Sequence, residues 1–131
     1  MTYLERSHID RARKRLRDRA LARTEQCEAL RHRAVLDVRA IVDMMIKKYA
    51  PIRIYQWGSV LRVGGFKDYS DIDLAVEGIG DVQAFFSLLG DAQALTRFPL
   101  DLVQIEKIAP EYAEDIRQQG KLVYEQCRSG S

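Results

Sequence analysis

The first fifty residues contain neither glycine nor proline, and Pro51 follows them at once. A segment without those two breakers, and rich in strong helix formers from about Ile9 to Tyr49, has to be helical. It forms one long helix, or two with a break near Thr24. Pro51 ends it, because proline cannot continue the hydrogen-bond ladder and biases Ala50 away from helical angles. The two ends of the segment differ in what they can bury. In RAVLDVRAIVDMMIKKYA the residues Val35, Val38, Ile41, Val42, Met45, Ile46 and Tyr49 recur at i, i+3, i+4 and i+7, so this part packs a face on the domain. Upstream, Arg11, Arg13, Lys14, Arg15, Arg17 and Arg19 surround only Leu16 and Leu21 as large apolar residues. That stretch projects or binds something: a neighbouring protomer, making a homo-oligomer, or else a nucleic acid or an acidic protein face.

Charge follows the same division. Residues 1–50 carry 13 lysines and arginines against 7 acids, a balance of +6, and residues 51–131 carry 8 against 12, a balance of −4. The overall +2 therefore conceals a basic segment beside an acidic one. With 131 residues, 47% of them hydrophobic, the chain suits a single compact domain. Within it, residues 1–50 are read as a helical extension packing on a core made by residues 51–131. No run approaches the roughly 18 apolar residues of a membrane span. The opening MTYLERSHID lacks the basic-then-apolar order of a signal peptide, so a cytoplasmic protein is expected. Cys27 and Cys127 stand far apart without a CxxC pair, and His8 and His32 are the only histidines, so zinc-type spacing is missing and both thiols are read as reduced.

After Pro51 the pattern alternates. Ile52 to Trp57 is a short strand, GSVLRVGG places glycines around a short helical piece, and DIDLAVEG is a second strand closed by Gly78. Asp81 caps the helix DVQAFFSLLGDAQALT, whose Val82, Phe85, Phe86, Leu88 and Leu89 are expected in the core. FPLDLVQIEKI is a third strand, Pro110 opens the helix PEYAEDIRQQ, and KLVYEQ adds a last strand. The implied fold is α/β (α+β), a small mixed sheet with helices mainly on one face.

The chemistry concentrates on three carboxylates. Successive strand residues point to opposite faces, so Asp71 and Asp73 share one face while Ile72, Leu74 and Val76 share the other. Two like charges held that way raise each other's pKa unless a cation, a donor or open water intervenes. Asp101, flanked by Leu100, Leu102 and Val103, is a third carboxylate on a strand that has to be paired, metal-bound or at a solvent edge. Set on neighbouring strands, the three make an all-oxygen cluster suited to Mg²⁺ or Mn²⁺ bridged to phosphates. The Gly58-Ser59 pair fits an anion: glycine lets the backbone approach closely, Ser59 adds a hydroxyl donor, and a helix starting there points its N-terminus at the phosphate.

The run WGSVLRVGGFKDYSDIDLAVEG resembles the signature of the polymerase-β-type nucleotidyltransferases. It is most similar to their minimal forms, the small MntA-like antitoxins of HEPN/MNT toxin–antitoxin pairs, over roughly residues 50–126. This resemblance implies Gly58 and Ser59 on the phosphates of ATP, Arg62 as a further phosphate contact, and Asp71, Asp73 and Asp101 as catalytic ligands of two Mg²⁺ ions. It also implies transfer of AMP to a hydroxyl, a tyrosine of a helical HEPN-family RNase toxin. Two other readings stay open: a non-catalytic antitoxin-like binding module, and a nucleotidyltransferase acting on RNA ends or a small hydroxylated molecule. Arg usually follows Gly-Ser directly in the family, whereas here Val60 and Leu61 intervene before Arg62.

Overall fold

A computed structural model of the chain describes residues 2–58 and 70–127. The expected phosphate donors Ser59 and Arg62, and the short helical piece with Gly64 and Gly65, lie outside the described residues. Helix α1 runs unbroken from Tyr3 to Tyr49, 47 residues. The break considered near Thr24 does not occur, because the Thr24 hydroxyl donates to the Ala20 carbonyl at 3.0 Å and so keeps its polar group on its own helix. The helix also starts before the expected Ile9. Thr2 and Glu5 form a reciprocal capping box, the Glu5 N–H donating to Thr2 Oγ1 at 3.3 Å and the Thr2 N–H to Glu5 Oε2 at 2.9 Å. At the other end Ala50 takes left-handed angles (φ 48°, ψ 58°), its N–H bonding the Met45 carbonyl at 3.1 Å, and Pro51 leads the chain away.

Strands β1 (Arg53–Trp57) and β2 (Ile72–Glu77) precede helix α2 (Val82–Gln93) and strand β3 (Leu100–Gln104). Helix α3 (Pro110–Gln119) and strand β4 (Lys121–Glu125) complete the chain. The sheet order is β3-β2-β1-β4. β1 is antiparallel to both β2 and β4, whereas β2 and β3 are parallel, and α2 supplies the crossover that a parallel pair requires. The third strand is shorter than FPLDLVQIEKI suggests. After Gln104 the chain turns through a single 3₁₀ turn, Ile105–Lys107, which buries Ile105 with Ala113 and Ile116 of α3 instead of extending the ladder.

Strand alternation sorts the two faces. Ile54, Ile72, Leu74, Val76 and Leu102 enter a core completed by Ala34, Val38, Ile41 and Met45 of α1 and by Leu88 and Ala92 of α2. Tyr55 and Ala75 enter a smaller cluster on the opposite face, under α3. The two larger helices thus share one face. α2 buries Leu88 and Ala92, one turn apart, while Val82 and Phe86, expected inside, are 58% and 63% exposed because a helix packed on one side has an outer face. A polar clasp joins α1 to α2: Tyr49 Oη donates to Asp91 Oδ2 at 2.6 Å, Lys48 Nζ donates to the same oxygen at 2.7 Å, and the Ser87 hydroxyl lies 2.7 Å from Tyr49 Oη. Hydrogen bonds from Lys48 and then Tyr49 hold the Asp91 carboxyl below its usual range. Among the described residues no helix is long and apolar enough to cross a membrane.

The two halves of α1 should therefore respond differently to truncation of an apolar residue. Ile41, with no exposed surface, loses about 2–5 kcal/mol of stability on change to alanine. Leu16, 65% exposed, stays within about 0.5 kcal/mol. Urea unfolding of the two variants followed by circular dichroism measures the contrast.

Candidate active site

The site grows out of sheet register. Ile72, Leu74, Leu100 and Leu102 all turn into the α1/α2 core, so the residues between them, Asp73 and Asp101, must turn to the other face. The parallel pairing sets Asp73 opposite Asp101, and the antiparallel pairing sets Trp57 opposite Asp73. Trp57, Asp73 and Asp101 consequently form one row across three strands, at a spacing of about 4.8 Å between neighbouring backbones. Asp71 lies one residue before β2 and is exposed, as is Asp101, whereas Asp73 is half-buried.

That row is electrostatically unsatisfied. The Asp73 carboxyl is pushed from its ordinary 3.8 to about 6, first by burial, then by the charge of Asp101, then by that of Asp71. Among the described residues no ion pair includes any of the three. Gly58 follows Trp57 with φ +87°, a left-handed conformation that disfavours side chains, and a Cβ built there would overlap the Asp73 carboxylate. Glycine at 58 is thus demanded both by its backbone angle and by the carboxylate against it.

Helix α3 walls the other side. Its Tyr112 ring meets Trp57 edge-on, with centroids 6.4 Å apart and planes at 89°. Trp57, Gly58, Tyr112, Asp115, Ile116 and Gln119 line a cleft of about 500 Å³. Burial and then the fields of Asp101 and Asp73 raise the Tyr112 pKa, so its phenol keeps its proton.

An oxygen-only donor set, Asp73 opposite Asp101 with Asp71 near enough for its charge to act on Asp73, suits a hard divalent cation. Among the described residues no three His, Cys, Asp or Glu side chains already converge as a metal cage. The sheet register fixes where the three backbones stand, not how each carboxylate turns, and like charges favour separation. The donor chemistry nonetheless fits the ion.

Of the residues expected from the sequence, Gly58, Asp71, Asp73 and Asp101 are brought together here, and Ser59 and Arg62 lie outside the described residues. Trp57, Tyr112, Asp115 and Gln119 were not anticipated as lining residues. The only signal for Trp57 was its place directly before Gly58, and nothing in α3 announced which face it covers.

A family model described as polymerase beta, nucleotidyltransferase matches residues 39–129, well over half of the chain. No curated protein matches it. Among solved structures, the chain is similar to one from the toxin–antitoxin MntA-HepT (TM-score 0.54, 21% identity, 70% of this chain and 72% of that one). It is similar to one from a toxin–antitoxin with AMP-PNP (TM-score 0.55, 23% identity, 66% and 73%). It also resembles a chain from the complex of a tri-AMPylated Shewanella oneidensis HEPN toxin with MNT antitoxin (TM-score 0.54, 22% identity, 71% and 73%).

The half-buried Asp73 makes stability fall with rising pH. Between about pH 4 and 6 the folded chain holds a proton on Asp73 that the unfolded chain has released, so the charge costs stability once pH exceeds about 6. Asp73→Asn removes that cost. In metal-free buffer its melting temperature should exceed that of the native chain at pH 8, and the two should converge near pH 4, as differential scanning calorimetry would measure.

Proposed function

Since the chain belongs to the polymerase-β nucleotidyltransferase family, we propose that it transfers AMP from ATP to a tyrosine hydroxyl of a HEPN-family toxin, acting as that toxin's antitoxin. The observation that carries the chemistry is the register that sets Asp73 beside Asp101 against Gly58. Likeness in fold to chains from the AMP-PNP and tri-AMPylated complexes supports the choice of nucleotide and acceptor.

In this reading Asp71, Asp73 and Asp101 hold two divalent cations, Mg²⁺ or in its place Mn²⁺. Those ions neutralise the phosphate charge and lower the pKa of the acceptor hydroxyl when bound. Gly58 brings the backbone close to the triphosphate, with Ser59 and Arg62 as the expected donors to its oxygens. Asp101, the exposed member of the row, accepts the acceptor's proton as the tyrosine oxygen attacks the α-phosphorus and pyrophosphate leaves. Asp73, half-buried between Trp57 and Asp101 in the row, is a ligand that the sheet register holds in place. The raised pKa of Asp73 makes cation binding proton-coupled, so affinity rises with pH through about 6.

Incubation with α-labelled ATP, Mg²⁺ and its cognate HEPN-family toxin, followed by intact mass of both proteins, tests this. One or more AMP masses should appear on the partner and vanish with EDTA. Asp71→Asn with Asp73→Asn should slow the transfer at least about 100-fold, because the cations that would offset the developing negative charge lose their ligands. A double variant that still neutralises the partner would instead identify a binding module.

A further inference from the structure

The apolar stripe that seats α1 on the core does not stop where the core stops. At about 100° per residue, the face bearing Ala34, Val38, Ile41 and Met45 continues upstream through Leu30, Cys27, Ala20, Leu16, Ala12 and Ile9. Leu30 still packs at the core's edge, but residues 2–26 are almost wholly exposed. Roughly 27 Å of helix, residues 9–26, therefore carries a stripe with nothing on it among the described residues. The family match begins only at residue 39, so this arm is an addition to the catalytic domain.

Charge is sorted around the stripe. Arg13 and Arg17 run along one edge with Asp10 and Glu28 just outside them, Arg15 and Arg19 run along the other, and Arg23 sits on the stripe itself, while Asp18 and Glu25 point away from it. Among the described residues no ion pair involves any of these five arginines. Arginines four apart repel along the same face, so the arm gains most from a partner that brings carboxylates to both edges. A second copy of the arm laid parallel would oppose arginine to arginine. A nucleic acid would meet the arginines and leave the apolar stripe in water.

We propose that residues 9–30 of α1 are a docking arm for a helix of the protein acceptor, one whose apolar stripe is edged by aspartate and glutamate. The identity of that acceptor as the HEPN-family protein rests on the function proposed above. Docking there tethers the acceptor to the enzyme at high effective concentration. It acts on KM and leaves kcat to the aspartate row, on the far side of the sheet from α1.

Titration calorimetry of the full chain against that HEPN-family protein tests the arm, with AMP transfer kinetics run in parallel. Arg13→Glu, Arg15→Glu, Arg17→Glu and Arg19→Glu together should weaken binding at least about tenfold and raise KM with kcat kept. Leu16→Asp should do the same, whereas Asp18→Lys with Glu25→Lys on the opposite side should stay within twofold. Circular dichroism of each variant checks that α1 is intact. Unchanged affinity in the arginine and Leu16 variants overturns the arm even if AMP transfer stands. Binding that responds as expected without AMP transfer keeps the arm and overturns the proposed reaction. No binding by the native chain overturns the arm, as does sedimentation showing self-association, or a shift of a labelled RNA, that these same changes abolish.

Discussion

Everything at the candidate site depends on the parallel pairing of β2 with β3. Apolar residues on either side of Asp73 and Asp101 are committed to the α1/α2 core, and with a period of two that commitment leaves both aspartates no choice of face. The fold uses hydrophobic burial to hold like charges together. The cost is visible in Asp73, whose carboxyl is pushed to about 6 by burial and by its two acidic neighbours. A site strained in this way is stabilised by whatever positive charge enters it, which is the physical basis for reading it as a place for a cation and its phosphates.

The same principle explains the two unlike helices around the sheet. α1 and α2 supply the apolar bulk that fixes register from one side, and the clasp of Lys48 and Tyr49 on Asp91 ties them together at that layer's edge. α3 contributes less apolar bulk and sits on the reacting side, where Tyr112 against Trp57 turns an open sheet face into a cleft. Scaffold and cleft wall are thus separated by the sheet. The upstream part of α1 belongs to neither layer, and its stripe of small and apolar residues between arginines is the feature of the chain that the catalytic fold does not consume.

Much of this was legible in the chain itself. The absence of glycine and proline before Pro51 required a long helix, and Asp81 and Pro110 marked where α2 and α3 begin. Where local reading erred, a local bond or a packing choice decided otherwise. The Thr2/Glu5 capping box moved the start of α1, the Thr24 hydroxyl found its own helix at Ala20, and Ile105 left the strand to be buried with α3. Hydrophobicity alone places Val82 and Phe86 in the core, yet it cannot say how wide a helix's buried face is, and both are exposed.

What the sequence by itself determined was the alternation of Ile72, Asp73 and Leu74 and of Leu100, Asp101 and Leu102, together with the glycine at 58. These are properties of single segments, and a strand's period expresses them wherever the strand lies. Only the tertiary structure decided that β3 pairs with β2 in the register that opposes the two aspartates, that Gly58 turns beneath Asp73, and that Tyr112 comes back across the sheet to Trp57. Those are contacts between residues far apart in the chain. They are chosen by which packing buries the most apolar surface at once, a quantity that no local stretch contains.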